Sequence, residues 1–216
     1  MSELASGETY RLCPLTRRLA RPGALFDAWA LAWEPTDAPL PDGPDLHAVA
    51  AVTALHAAAP ARALPVGVIG PKAASASETE TAARLGRRLG EIGLQVLCGG
   101  KNGVMEAVCR GNLEAGGRPI GFVPDEGWRA ANPFVAIPLA TGIGPARNVL
   151  IARASFALVA IGGGYGTLSE MAFGLHFEKP VIALGDAPEV PGAIRCETVE
   201  EALGHVCRRF LALGEA

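Results

Sequence analysis

The segment that decides the fold is Val159–Glu170, which has the sequence VAIGGGYGTLSE. An apolar run enters four glycines in five positions, and a helix-compatible stretch follows. Glycines allow positive φ angles and let an anion approach the backbone without a Cβ in the way. The free N–H groups and the dipole of a following helix favour negative charge, and Thr167 adds a hydroxyl donor there. The segment therefore predicts a buried strand, a phosphate-binding turn and a helix.

The glycine turn matches neither of the two common nucleotide-binding patterns. No Gly-Lys-Ser/Thr follows it, as a Walker A loop requires, and its spacing is not that of the dinucleotide GxGxxG motif. A purely structural turn between strand and helix is the competing interpretation. Glu170, early on the predicted helix, either satisfies the helix N-terminus or faces a ligand as a general acid or base.

Two other junctions have related features. Gly99, Gly100 and Lys101 follow an apolar run and precede a predicted helix, so they offer a second set of backbone donors and one charge. Arg147 and Asn148 begin the helix before the main motif. A cation is unfavourable at a helix N-terminus, so Arg147 indicates an anionic partner, unless it simply extends over the surface. The Gly-Pro-Lys at residues 70–72 is a weaker candidate.

From Leu64 onward, short apolar strands alternate with helices. Strands without polar alternation that are separated by helices indicate a parallel sheet covered on both faces. We therefore predict an α/β fold, a Rossmann-like doubly wound sheet in three α/β/α layers, with ligands outside the carboxyl ends of the strands. The predicted strands are 65–70, 94–98, 119–123, 134–137, 156–161 and 180–184. The predicted helices are 77–92, 103–115, 147–155 and 167–177, with Ser77 capping the first, and a last helix capped by Thr198.

The sequence divides near residue 62. Residues 1–62 form an N-terminal extension of unknown role, in which we expect short strands or irregular structure and then a helix over 44–58. Residues 63–216 form the predicted nucleotide-binding domain.

Composition excludes several classes of function. The 216 residues are 50% hydrophobic and 19% charged, with a formal net charge of −3 and no basic block, so no nucleic-acid footprint is visible. Five cysteines and four histidines form no CxxC, HxxxH or HExxH pattern, so we expect no metal site. An odd number of scattered cysteines is typical of the cytoplasm. No stretch approaches the roughly 18 apolar residues of a membrane span, and no signal-peptide pattern opens the chain.

The three glycine-containing junctions together are similar to the LONELY GUY and "lysine decarboxylase-like" (SLOG) family of Rossmann-type proteins, over roughly residues 65–184. The family's PGGxGTxxE signature matches Gly163–Glu170, its GGxxGxM turn matches Gly99–Met105, and its Arg-Lys pair corresponds to Arg147-Asn148.

Characterised members with this signature are phosphoribohydrolases, which cut the N-glycosidic bond of a nucleoside 5′-monophosphate to give the free base and ribose 5-phosphate. The resemblance implies a homodimer and a metal-independent reaction that needs no cofactor. In it Glu170 stabilises oxocarbenium character on the ribose and Arg147 fixes the geometry. The phosphate- or nucleotide-binding residues that we expect are Gly99, Gly100, Lys101, Asn148, Gly162, Gly163, Gly164, Tyr165, Gly166 and Thr167.

Two positions depart from the family pattern. Gly162 replaces the signature proline, and Asn148 replaces the lysine. Both changes resemble a sister branch that includes molybdenum-cofactor carrier proteins, which hold a phosphorylated pterin without turning it over. Our first expectation is a hydrolase acting on N-glycosyl bonds, and the alternative is a non-catalytic molybdenum-cofactor carrier or binding protein. Lysine decarboxylation is not expected, because no lysine has the surroundings of a pyridoxal Schiff base.

Overall fold

Alternating strands and helices form along most of the chain in the computed structural model, which describes residues 8–215. The strands are β1 (Arg11–Leu12), β2 (Leu19–Arg21), β3 (Ala24–Asp27), β4 (Ala32–Pro35), β5 (Pro65–Ile69), β6 (Gln95–Cys98), β7 (Ile120–Val123), β8 (Ile137–Ala140), β9 (Ala157–Ile161), β10 (Val181–Leu184) and β11 (Ile194–Cys196). The α-helices are α1 (Ala48–Ala58), α2 (Ala76–Glu91), α3 (Val104–Glu114), α4 (Asn148–Ala154), α5 (Tyr165–His176) and α6 (Val199–Leu211).

Strands β5 to β11 pair into one parallel sheet in the order β11-β10-β9-β5-β6-β7-β8. All five residues of the central strand β9 are buried, which explains why its sequence has no polar alternation. Helix α2 packs on α3 and α4 packs on α5, so that helices cover the sheet in a three-layer α/β/α arrangement. The predicted Rossmann-like fold is confirmed.

Close packing between α2 and α3 depends on glycine. A Cβ on Gly86 would overlap the carbonyl of Val108, and a Cβ on Gly111 would overlap the carbonyl of Ala83. The two helices therefore touch backbone to backbone. This packing fixes α3, whose N-terminus lies at the glycine turn after β6.

The described residues form two compact units. Ala63–Val206 make up one unit, and the chain up to Arg62 makes up the other together with the residues from Cys207 onward. The end of α6 thus groups with the N-terminal unit, whereas we had expected residues 63–216 to stay together.

The N-terminal unit consists of the antiparallel sheet β1-β2-β3-β4 and α1. Its core contains Phe26 and Phe210, whose ring centroids lie 6.2 Å apart, and the half-buried Trp33 meets Phe26 edge to face at 5.0 Å. Trp33 Nε1 donates a hydrogen bond to the carbonyl of Leu211 at 2.7 Å. Aromatic packing therefore organises a segment whose sequence gave no clear periodicity.

Several element boundaries differ from those expected. Helix α2 is capped by Ser75 rather than Ser77, because Ser75 and Glu78 form a reciprocal capping box. Strand β8 begins at Ile137 rather than residue 134, because the Asn132 side chain accepts the Phe134 N–H and holds a turn there. Helix α1 begins at Ala48 rather than residue 44, and strand β11 was not predicted.

Candidate functional site

A cavity of about 450 Å³ opens at the carboxyl ends of the central strands of the parallel sheet. This is the edge at which open α/β sheets bind ligands, and the volume lies within the range of small-molecule sites. The residues that line the cavity are Val68, Ile69, Gly70, Pro71, Lys72, Gly99, Met105, Pro124, Pro145, Arg147, Asn148, Gly164, Gly166, Thr167 and Glu170.

A buried ion pair lies in the wall of this cavity. Arg147 Nη1 donates to Glu170 Oε1 at 3.1 Å, and each residue is only 6% exposed. Arg147 closes the short 3₁₀ helix Gly144–Arg147 just before α4, and Glu170 lies in the second turn of α5. The structure therefore brings together the two residues that the sequence analysis paired, 23 positions apart in the chain.

Gly99 makes room for the guanidinium group. A Cβ at this position would overlap the Nη2 and Cζ atoms of Arg147, and the Gly99 carbonyl instead accepts a hydrogen bond from Nη2 at 3.4 Å. Arg147 Nη1 also donates to Asn148 Oδ1 at 3.0 Å, while its buried Nε has no hydrogen-bond partner. The arginine is therefore turned away from solvent and is not a surface residue.

Asn148 connects Arg147 to helix α5. Its Nδ2 donates to the carbonyl of Gly166 at 3.3 Å and to Ser169 Oγ at 3.1 Å, while its Oδ1 accepts from Arg147. An amide can donate and accept at once, whereas a lysine at this position could only donate. The residue that replaces the family's lysine thus joins the cation to the glycine turn without adding charge.

Burial governs the protonation of Glu170. Removal of the carboxylate from water raises the pKa of Glu170 to about 7, and the opposing effect of the Arg147 charge is smaller. The carboxyl group therefore changes its protonation state close to neutral pH. A group with this property beside a cavity is a candidate for binding or acid-base chemistry.

The turn before α5 has two differently built halves. Gly162 and Gly163 have φ angles of +56° and +115°, and a Cβ on Gly163 would overlap the side chain of Thr167. Gly164 and Gly166 have open space where a Cβ would stand, and both line the cavity. The first half therefore shapes the turn, and the second half leaves space for a ligand.

The N-terminus of α5 faces this open half. Gly164 occupies the N-cap position without a side-chain cap, so the first N–H groups of the helix have no capping oxygen. The buried Thr167 adds its hydroxyl next to them. Backbone donors, the helix dipole and a hydroxyl together favour an anion at residues 164–167.

A carboxylate occupies the other half of the turn. A Cβ on Gly162 would overlap the side chain of Glu78, which belongs to the capping box of α2. An anionic group at Gly162 would meet this negative charge. The phosphate position is therefore favoured at Gly164–Thr167 and disfavoured at Gly162.

The structure separates the candidate residues into two groups. Those that line the cavity are Gly99, Arg147, Asn148, Gly164, Gly166, Thr167 and Glu170. Those that do not line it are Gly100, Lys101, Gly162, Gly163 and Tyr165.

The non-lining residues have other surroundings. Lys101 Nζ binds Asp125 at 3.0 Å and the carbonyl of Ala130 at 3.0 Å, so its charge is already compensated. The Tyr165 side chain is 92% exposed. The role of Lys101 as a phosphate-binding cation stays a prediction, since a phosphate would have to compete with Asp125 for its charge.

Lys72 is the cation that the sequence analysis undervalued. It follows β5 on the turn Gly70-Pro71-Lys72, lines the cavity and is exposed, and no ion pair of its side chain is seen among residues 8–215. Its signal was a glycine-proline turn at the end of the first strand of the domain. Because the carboxyl ends of parallel strands meet at one edge of the sheet, this turn lies at the same edge as the glycine turns that follow β6 and β9.

Residues 8–215 show neither a metal-binding cluster nor a membrane-spanning helix. No group of three or more His, Cys, Asp or Glu side chains in this range could hold a metal ion. No helix in the same range is long and apolar enough to cross a membrane.

Comparison with known proteins gives consistent matches over the parallel-sheet unit. The sequence profile of the SLOG cluster4 family matches residues 63–206. A protein of Archaeoglobus fulgidus is 38% identical over 140 residues, which cover 65% of this chain and 92% of the relative.

The solved structures at 30% identity or above include two proteins that are described as binding or carrying the molybdenum cofactor. The molybdenum cofactor binding protein of the phototrophic bacterium Rippkaea orientalis is 31% identical, with a TM-score of 0.64, over 67% of this chain and 96% of its own. The Moco carrier protein of Chlamydomonas reinhardtii is 34% identical, with a TM-score of 0.63, over 70% of this chain and 99% of its own.

Proposed function

The chain belongs to the SLOG cluster4 family, and from this premise we propose that it binds the molybdenum cofactor, a phosphorylated pterin, as a carrier. The observation on which the proposal depends is the similarity, at 31% and 34% identity, to two proteins described as binding or carrying this cofactor. In each case the match covers almost the whole of the other protein.

The cavity has the groups that a phosphorylated heterocycle needs. The N-terminus of α5 with Thr167 binds the phosphate, and Lys72, which also lines the cavity, adds a positive charge. Apolar contacts for a ring come from Pro71, Pro124 and Pro145, which line the cavity and keep exposed surface. A volume of about 450 Å³ suits a ligand of this class.

The state of Arg147 and Glu170 favours carriage over hydrolysis. A carboxylate that stabilises an oxocarbenium ion must be ionised and directed at the sugar. Here Glu170 Oε1 accepts from Arg147, and burial favours the neutral carboxyl group up to about pH 7. Arg147 in turn is shared between Glu170, Asn148 and Gly99. The pair thus stabilises the wall of the cavity.

A second candidate function is the nucleoside 5′-monophosphate phosphoribohydrolase that the sequence analysis placed first. One observation favours it: Glu170 lines the cavity with a pKa of about 7, and acid-base catalysts work best when their pKa is close to the working pH. On this hypothesis the same phosphate position would hold the 5′-phosphate.

One experiment tests both functions. The protein is purified without added ligand from cells that synthesise the cofactor, and molybdenum is measured by mass spectrometry and oxidised pterin by fluorescence. Carriage predicts both in the wild type and a loss in Gly166→Ala, whose methyl group would enter the ligand space. In parallel, ribose 5-phosphate release is measured for a panel of nucleoside monophosphates with wild type and Glu170→Gln. Turnover by the wild type that disappears in this variant, without bound pterin, would replace carriage by hydrolysis.

The homodimer and the cytoplasmic location remain predictions. Sedimentation of the purified chain tests the first, with twice the 22.2 kDa chain mass expected. Cell fractionation tests the second.

A further inference from the structure

Two buried thiols adjoin the lining of the cavity, since Cys98 directly precedes the lining residue Gly99. Cys98 ends strand β6 and Cys109 lies on α3, and their Sγ atoms are 3.4 Å apart. Both side chains are fully buried, and both cysteines are free. The site proposed for the ligand uses neither sulfur.

The thiol pair is connected to the cavity wall by the backbone. Cys98 Sγ accepts the N–H of Gly100 at 3.3 Å, and the residue between them is Gly99, whose carbonyl binds Arg147. Gly99 cannot move toward the guanidinium group without overlap, because no space remains there. A displacement of Cys98 must therefore reach the Arg147–Glu170 pair.

The two sulfurs differ chemically. Hydrogen bonds from the Cys109 thiol and then from the Gly100 N–H favour the thiolate of Cys98 and lower its pKa, although burial opposes them. The pKa of Cys109 is raised, first because its proton is shared with Cys98 and second because it is buried. Cys98 also accepts the backbone N–H of Gly100, so we assign the attack to Cys98 and the resolution of its oxidised form to Cys109.

We propose that Cys98 and Cys109 form a redox-sensitive modification site, in which a peroxide converts the pair to a disulfide and thereby resets the turn that holds Arg147. The Cys98 thiolate attacks the peroxide and becomes a sulfenic acid as the O–O bond breaks. The Cys109 sulfur then attacks this sulfur and releases water. Overall, two thiols and one hydrogen peroxide give one disulfide and two waters, so atoms and electrons balance.

The geometry requires a local rearrangement. A disulfide has an S–S length of about 2.05 Å, so the sulfurs must approach by more than 1 Å from their present 3.4 Å. Helix α3 is fixed by its glycine contacts with α2, whereas Cys98 is followed by two glycines. The movement therefore falls on the glycine turn, and the wall of the cavity changes with it.

The sequence supplies a direct test of bond formation. Trypsin cuts after Lys101, so Cys98 lies in peptide 89–101 and Cys109 in peptide 102–110, with no other cysteine in either. The native protein is treated with hydrogen peroxide, remaining thiols are alkylated, and the digest is analysed by mass spectrometry without reduction. We expect the two peptides joined and two hydrogens lighter than their sum, and a chain that stays monomeric in mass under denaturing conditions without reductant.

Matched variants separate this pair from the other cysteines. Cys13→Ala, in the N-terminal unit, should leave the joined peptide unchanged, whereas Cys109→Ala should abolish it and let Cys98 proceed to the sulfinic acid. Should Cys109→Ala fold poorly, the wild-type digest still decides the matter. Oxidation of Cys13 without any joined peptide would overturn the proposal.

The coupling to the cavity is measured separately and does not depend on the identity of the ligand. Hydrogen exchange of the amides at residues 99–103 is compared in the reduced and oxidised wild type. At least a tenfold change in exchange rate is expected there, and none in Cys109→Ala after the same treatment. A disulfide that leaves these rates unchanged would refute the coupling to Arg147.

Discussion

Replacement of Glu170 by glutamine should change how the free energy of unfolding depends on pH. The sign of the change shows whether burial or the Arg147 charge dominates the pKa of Glu170. In the folded chain burial raises the pKa of Glu170 from 4.5 to about 7. Between these values the folded chain holds a proton that the unfolded chain releases. The stability that this group contributes is therefore complete below about pH 4.5 and is lost as the pH rises through about 7.

The magnitude follows from the same two pKa values. At about 1.36 kcal/mol per pH unit, the contribution of Glu170 to the free energy of unfolding falls by roughly 2.5 kcal/mol between pH 5 and pH 9. Glutamine is similar in shape, can still accept from Arg147 and does not titrate. The difference in unfolding free energy, wild type minus Glu170→Gln, should therefore fall by this amount as the pH rises.

Urea unfolding monitored by tryptophan fluorescence at pH 5, 7 and 9 measures the difference. Glu114→Gln is the matched control, because Glu114 makes an exposed ion pair with Arg87 and should show no comparable trend. A difference that is constant with pH would mean that the pKa of Glu170 is not raised. A difference that grows in favour of the wild type as the pH rises through about 4 would mean that the Arg147 charge dominates over burial, and would refute the argument.

Three further substitutions probe the cavity. Gly166→Ala should stabilise helix α5 by up to about 1 kcal/mol, measured by thermal unfolding, yet weaken ligand binding at least tenfold, measured by cofactor retention. Gly127→Ala is the control, because a Cβ there also meets open space, and it should leave binding unchanged. Lys72→Ala should weaken binding of the phosphorylated ligand about tenfold at low salt and less at high salt, in titrations with Lys179→Ala as control. Gly162→Pro should lower the melting temperature and abolish ligand binding, because proline cannot adopt a φ of +56°. A variant with unchanged melting temperature and binding would show that the turn can adopt another conformation.

Much of the fold could be predicted from the sequence because buried parallel strands leave an unmistakable pattern. The run Ala157–Ile161 has no polar residue since both of its faces are covered, and the helices around it carry apolar and charged faces. The N-terminal unit could not be predicted in this way. Its strands are two to four residues long, and it is held by aromatic contacts between Phe26, Trp33 and Phe210, which lie far apart in the sequence.

The sequence indicated that Arg147 and Glu170 belong together, and the structure places them in contact, while their functional role stays a prediction. Arg147 stood out because a cation at a helix start is unfavourable, and the buried partner that compensates it is Glu170. The sequence does not reveal the ion pair of Lys101, because its partner Asp125 follows β7, a different strand, and the role of Lys101 in phosphate binding stays a prediction. That Lys72 lines the cavity could not be predicted from a motif, because it depends on which strand ends lie side by side, and this is a property of the sheet order.

The departure from the family signature at Gly162 has a structural consequence for the ligand. Its φ of +56° excludes proline, and its missing Cβ admits the carboxylate of Glu78. That carboxylate is fixed by the Ser75 backbone N–H at 2.6 Å, so it does not turn away when an anion approaches. The Glu78 carboxylate repels an anion from Gly162, and the free N–H groups at the start of α5 attract it. Both effects therefore favour an anion at Gly164–Thr167. A phosphate bound there would lie next to the open half of the turn, on the cavity that Lys72, Arg147 and Glu170 also line.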